Sequence, residues 1–229
     1  MPAGPSVPAT ITDLRDTTPN TRVFTLRVEA AGYHFQPGQH CLVSVDGQRA
    51  RPFSFTTTPR QYPRVEFVIK LAGVTTGQLF SCRVGDRVWL SQPLPSRFFI
   101  APDDHGAVVL IAGGTGVTPF LGLIRDCTER SAPNTLQLLF ANRSLADIIC
   151  RAELSMLAQR NSKLEVVFVL DDPPAGWAGE AGRIDVAMIR RHVPDFQLPR
   201  FMLCGRPQMV ISLRQQLLAA GVAADRIAI

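Results

Sequence analysis

Two hydropathy rhythms divide this chain. In the first part, apolar residues recur in short runs rich in Val, Phe and Thr, at residues 10–16, 22–29, 39–45, 52–58, 64–70 and 86–92. Pro37-Gly38, Asp46-Gly47 and Gly85-Asp86 punctuate them, and such pairs turn a chain rather than extend it. Six short strands at near-regular spacing predict an antiparallel barrel or sandwich. Residues 74–82 break the rhythm and read as a helical turn or two.

Past residue 102 the period changes. Residues 107–112 form a fully apolar strand, then come a helix over 118–129, a strand over 135–141 and a helix over 146–159. A strand over 164–170, a helix over 184–192, a strand over 200–204, a helix over 207–220 and a last strand over 226–229 follow. Strands that are continuous Val/Leu/Ile runs and alternate with helices predict a doubly wound parallel α/β sheet, covered on both faces. The expected division is therefore 1–102 and 103–229, with the boundary at 102–106, where Pro, Gly and charge cluster. Ligands of open parallel sheets bind beyond the C-terminal strand ends. A first domain docked at that edge would make a cleft suited to two ligands.

Composition narrows the class. At 229 residues, 46% apolar and 19% charged, the chain has ample material for a core and is neither a disordered tail nor a disulfide mini-scaffold. The apolar run at 107–112 stops at Gly113-Gly114, far short of the ~20 residues of a membrane span. The start of the chain lacks the basic and apolar blocks of a secretory signal. Cys41, Cys82, Cys127, Cys150 and Cys204 lie far apart, which excludes a built-in iron–sulfur or Cys-rich zinc site and fits a reducing cytoplasm. No metal site and no nucleic-acid partner are expected. The net charge of +5 is carried mostly by Arg, with Lys70 and Lys163 the only lysines. A basic face attracts an acidic protein or a phosphate-bearing ligand; the same charge spread over a solvated surface would have no such meaning.

Two stretches in each half carry candidate chemistry. Arg51-Pro52-Phe53-Ser54 starts a strand with an Arg, an aromatic residue two on, and hydroxyls after it. A guanidinium fork suits phosphate, and residues i and i+2 of a strand share a face. A flat cofactor ending in a pyrophosphate would need such a set, although a hydroxyl-rich strand can also be no more than that. Gly73-Val74-Thr75-Thr76 opens the short helix, and helix N-termini present free N–H groups to anions. In the second half, Gly113-Gly114-Thr115-Gly116 and Thr118-Pro119 join the apolar strand to its helix, and glycines there allow backbone to approach phosphate closely. Cys204-Gly205-Arg206-Pro207 ends a later strand on the same sheet edge.

Taken in order, these motifs resemble the ferredoxin–NADP reductase superfamily over nearly the whole chain, with Pro37-Gly38-Gln39 matching a further barrel pattern. The resemblance implies a Greek-key barrel binding FAD, followed by an NAD(P)-binding α/β domain. It implies Arg51 and Thr76 on the flavin pyrophosphate, Phe53 against the ribityl and ring, and Ser54 near flavin N5, with Pro52, Gly73, Val74 and Thr75 completing the flavin site. Gly113, Gly114, Thr115, Gly116 and Thr118 would serve the dinucleotide, and Cys204 with Gly205 would sit beside the nicotinamide. Asn142-Arg143-Ser144 matches a family segment in which Arg143 could touch the dinucleotide. Three departures stand out: many members carry Tyr where Phe53 stands, Arg206 replaces a small residue or Pro, and many relatives continue past Ile229 to an aromatic residue over the flavin. The last predicts a flavin face left open or covered by a partner.

The implied activity is that of an FAD-dependent oxidoreductase. It takes hydride from NAD(P)H and passes electrons to an acidic carrier such as ferredoxin or flavodoxin, or to an oxygenase component. Asp171-Asp172, where NADPH users often place Ser and Arg, favours NADH. Ser54 and Cys204 would line the reacting atoms. His34, His40, His105 and His192 are scattered, and hydride transfer needs no general base. Two other activities fit the same motifs: a flavin reductase that releases reduced flavin, and a non-autonomous electron-transfer subunit.

Overall fold

The computed structural model describes residues 6–229; the first five residues of the segment read above for a signal lie outside the described ones. The chain divides into two compact units. One runs to Phe99 and takes in Thr118–Asp126; the other comprises Ile100–Val117 and Cys127–Ile229.

The first unit is a six-stranded antiparallel sheet built from β1 (Val7–Thr18), β2 (Thr21–Val28), β3 (His40–Ser44), β4 (Ala50–Ser54), β5 (Arg64–Lys70) and β6 (Arg87–Leu90), with α1 (Val74–Ser81) before β6. Its spatial order is β4-β3-β6-β1-β2-β5. The return of β6 between β1 and β3 is a Greek-key connection. Beyond β4, the Thr56 N–H bonds to the Glu66 carbonyl of β5 at 3.0 Å, so the two sheet edges meet as in a barrel. Alternate residues point inward: Val65, Phe67 and Ile69 of β5 join Ile11, Leu26, Val43, Phe55 and Leu90 in one apolar cluster. That period of two is what the sequence rhythm encodes.

The predicted fourth strand over 52–58 differs from the structure. The strand ends at Ser54, and Thr56, Thr57 and Thr58 are wholly buried outside any strand. Their hydrogen bonds go elsewhere: the Thr56 hydroxyl donates to the Glu66 carbonyl at 3.1 Å, and the Thr57 hydroxyl oxygen accepts from the Glu66 N–H at 3.3 Å. A hydroxyl run with high β-propensity is held here by side-chain bonds that compete with the ladder.

The second unit holds β7 (Val108–Gly113), β8 (Leu136–Asn142), β9 (Leu164–Leu170), β10 (Glu180–Ala181), β11 (Arg200–Cys204) and β12 (Ile227–Ala228). All are parallel, in the order β10-β9-β8-β7-β11-β12. Val108 to Ala112 are each at most 2% exposed, as a strand covered on both faces requires. On one face, Met188 and Ile189 of α4 (Val186–His192) and Leu213 and Leu217 of α5 (Pro207–Ala219) pack with Val109, Ile111, Val169 and Leu203. The strand order reverses between β7 and β11, and that is where crevices open in such sheets.

The predicted helix over 146–159 starts later, as α3 at Arg151–Arg160. Ser144 and Asp147 bond reciprocally around a 3-10 turn at Leu145–Asp147, and Cys150 holds a left-handed φ of 53°, so the first turns cannot join the helix. The two-residue β10 was not predicted, being too short to carry a period. α2 (Thr118–Glu129) spans the predicted residues. Among the described residues no helix is long and apolar enough to cross a membrane, no cluster of potential metal ligands occurs, and none of the five cysteines is in a disulfide.

Candidate functional site

In the first unit, β4 presents Arg51 to solvent from a register in which it pairs with Val43 of β3. Its guanidinium has no ion-pair or hydrogen-bond partner among the described residues. Pro52 is exposed beside it, Phe53 leans half-buried on the barrel core, and Ser54 is half-buried at the strand end. The hairpin turn before Arg51 is fixed by Asp46, which accepts from the Gln48 and Arg49 N–H groups and the Ser44 hydroxyl, each at 2.9 Å. These bonds, the Arg49 N–H foremost, hold its carboxyl well below the usual carboxylate range. Gln78 of α1 donates to the same carboxylate at 3.4 Å, tying the hairpin to the helix that starts at Val74.

The N-terminus of α1 is organised by Thr76. Its hydroxyl oxygen accepts from the Ala72 N–H at 2.7 Å and its proton goes to the Gly73 carbonyl at 3.1 Å. Gly73 and Val74 are exposed, and Thr75 and Thr76 are buried. The Thr76 hydroxyl is thus spent on the cap, and what this turn offers an anion is its unpaired main-chain N–H groups. A free guanidinium and an open helix N-terminus on one tied hairpin–helix pair fit the pyrophosphate of a flavin dinucleotide.

In the second unit, the residues predicted on one sheet edge come together. Cys204 ends β11 in register with Ala112, one residue before Gly113. Gly114–Val117 form a 3-10 turn that crosses the end of β11. A Cβ on Gly116 would lie 2.1 Å from the Cys204 carbonyl oxygen, so only glycine permits this approach. Thr115 is exposed, and Cys204 and Gly205 are half-buried; Thr118, which the division of the chain assigns to the first unit, is buried. Asn142, at the end of β8, lies in the segment Asn142-Arg143-Ser144, where the sequence points to a role for Arg143 and to none for Asn142. Its amide is buried, and neither its nitrogen nor its oxygen has a partner among the described residues. An unmade bond of this kind costs about 1–3 kcal/mol, and its place at the edge next to Gly113 fits a polar ligand held there.

Arg143 and Arg206 part company. Arg143 pairs with Asp172 at 3.0 Å, both largely exposed, so its charge is already matched. Arg206 is exposed at the N-terminus of α5, with no partner among the described residues. Of the histidines, His192 is bound to Glu180 at 2.8 Å.

Burial pushes the Cys204 thiol up to about 11, so this sulfur is neutral near pH 7 and offers a small, uncharged surface. Its alkylation by iodoacetamide is expected to be about a hundredfold slower at pH 8 than that of a free thiol, and to keep rising well past the ordinary thiol value of ~8.5. Mass spectrometry of the labelled peptide across pH checks this. A rate that levels off near ~8.5 would contradict it.

The chain matches the family model of the oxidoreductase FAD-binding domain over residues 8–98 and that of the oxidoreductase NAD-binding domain over 110–215. It is 32% identical to NADH-cytochrome b5 reductase 1 of Mortierella alpina over 206 residues, which covers 86% of this chain and 68% of that protein. Among solved structures it resembles the cytochrome b5 reductase domain of Ulva prolifera nitrate reductase, with TM-score 0.85 at 23% identity over 95% of this chain and 94% of that one. It also resembles the ferredoxin reductase in carbazole 1,9a-dioxygenase, with TM-score 0.83 at 25% identity over 97% of this chain and 68% of that one.

Proposed function

The chain belongs to the ferredoxin–NADP reductase superfamily and is an FAD-dependent NAD(P)H oxidoreductase; on that premise we propose that it oxidises NADH and delivers the electrons to a small one-electron carrier protein of the cytochrome b5 or ferredoxin kind. Bound flavin supplies a centre that accepts a hydride and gives up electrons singly. The rest is the work of this chain's residues. Arg51 and the α1 N-terminus hold the pyrophosphate of FAD, and the Ser54 hydroxyl and the Phe53 ring orient its flavin end. Gly113, Gly114, Thr115 and Gly116, with Thr118 at the helix start, hold the dinucleotide diphosphate, and the neutral Cys204 with Gly205 lines the nicotinamide.

The observation that carries the preference for NADH is the pairing of Arg143 with Asp172, beside a second exposed carboxylate, Asp171. A 2′-phosphate there would meet net negative charge, whereas a free 2′-hydroxyl can donate to a carboxylate. The carrier reading is supported by the relative named for cytochrome b5, by the solved reductase of a dioxygenase, and by a net charge of +5 that suits an acidic protein.

Steady-state turnover of the purified protein tests the proposal, with NADH or NADPH against cytochrome b5, a plant-type ferredoxin, flavodoxin and free FMN. Yellow protein that reduces a carrier protein faster than free FMN, with the higher kcat/KM for NADH, is the expected outcome. Colourless protein that consumes free flavin would replace this reading with flavin reductase activity, and no turnover without a further subunit would replace it with a dependent role.

A further inference from the structure

Glu66 is an acid in the wrong place for a simple barrel. On β5, Val65, Phe67 and Ile69 face the core, so Glu66 faces outward, yet it is only 6% exposed. The segment Thr118–Asp126, which belongs to this unit, covers it. Arg125 of that segment places one guanidinium nitrogen 3.0 Å from a Glu66 carboxylate oxygen and 2.6 Å from the Thr56 carbonyl. Arg64 reaches the other carboxylate oxygen, which also accepts from the Thr25 hydroxyl at 3.4 Å.

Three bonds hold the main chain just beyond Ser54. The Thr56 N–H goes to Glu66, the Thr56 carbonyl accepts from Arg125, and the Phe55 N–H goes to the Gln39 carbonyl at 3.0 Å. One turn before Arg125, a Cβ on Gly122 would lie 2.6 Å from the Phe55 carbonyl oxygen. The helix therefore lies directly on this segment, and Phe98 and Phe120 stack edge to face beside it, 5.2 Å between centroids. A buried ion pair is a poor device for stability alone, since apolar residues of like volume serve as well or better. Its virtue is fixed geometry: one nitrogen of a planar guanidinium donating to a carboxylate and a carbonyl at once.

We propose that Arg125, with Glu66 as its counter-charge, is a positioning residue for the flavin-contacting strand, holding the Thr56 main chain so that Ser54 and Phe53 are aimed at the ring. The proposal rests on the flavin reading of Ser54 and Phe53 given above. Arg125 touches no cofactor in this account; it acts through Thr56.

The test uses the full chain in three variants: Arg125→Met, Arg125→Lys, and the double variant Arg125→Met with Glu66→Gln, which leaves no lone charge buried if the single change fails to fold. In apoprotein, amide hydrogen exchange at residues 54–57 is expected to speed up in the double variant while the β1–β2 ladder stays protected. With FAD added, the dissociation constant should rise about tenfold, in keeping with the loss of a charged hydrogen bond to one carbonyl. The midpoint potential of the bound flavin should shift, kcat should fall and KM for NADH should hold, with Arg125→Lys recovering part of each. Unchanged exchange, flavin affinity and potential, with only a lower Tm, would overturn the proposal and leave the flavin reading standing. A wild-type protein that binds no FAD would overturn both.

Discussion

Replacing Arg51 with alanine is expected to weaken FAD binding by about 10- to 150-fold, the equivalent of charge-assisted hydrogen bonds worth about 1.5–3 kcal/mol. The side chain is exposed and has no partner among the described residues, so nothing in the fold needs it. Its loss should therefore leave the Tm nearly unmoved, as for other surface substitutions of ~0.5 kcal/mol or less. Arg51→Lys should fall between the two, because an ammonium keeps the charge but cannot make the two parallel bonds of a guanidinium. Titration of apoprotein with FAD, followed by flavin fluorescence at several salt concentrations, checks the claim. A wild-type affinity in Arg51→Ala would remove this residue from the diphosphate.

Gly116→Val should have its largest effect on the other ligand. Even the Cβ would stand 2.1 Å from the carbonyl oxygen and 2.4 Å from the carbonyl carbon of Cys204, and 2.7 Å from the Gly205 nitrogen. All three are backbone atoms of a strand end, so none can swing aside. The turn after β7 must lift away from the end of β11, at an overpacking cost of about 1–3 kcal/mol. KM for NADH should rise by about tenfold or more as the glycine turn loses its close approach to the diphosphate. FAD affinity, which belongs to the first unit, should stay at the wild-type value. Nucleotide titration and FAD titration of the same variant separate the two effects, and an unaltered KM would show that the turn does not hold the dinucleotide.

The parts legible in the sequence were those with a period. Arg64–Lys70, Leu164–Leu170 and Arg200–Cys204 are strands with the expected limits, because runs of Val, Ile, Leu and Phe leave little other choice. The glycine turn and Cys204 were placed on one edge from strand order alone, and they touch. The hydroxyl run after Ser54 was misread as strand because its partner Glu66 is ten residues away across a turn, and local propensity cannot see it. Arg125 and Glu66 stand 59 positions apart. Only the fold shows that an outward-facing acid is buried and that Thr118–Asp126 packs with the barrel. The unpaired Asn142 amide is of the same kind, since a lone Asn at a strand end is ordinary in sequence and unusual only once its burial is known.

The central claim is that one chain holds FAD and NADH for direct hydride transfer between them. Anaerobic mixing of the FAD-loaded protein with NADH, and with NADH deuterated at C4 of the nicotinamide, tests it most directly. The account predicts loss of the visible flavin absorbance in a single phase whose rate saturates with NADH and slows on deuteration. Flavin that keeps its absorbance under saturating NADH would contradict it.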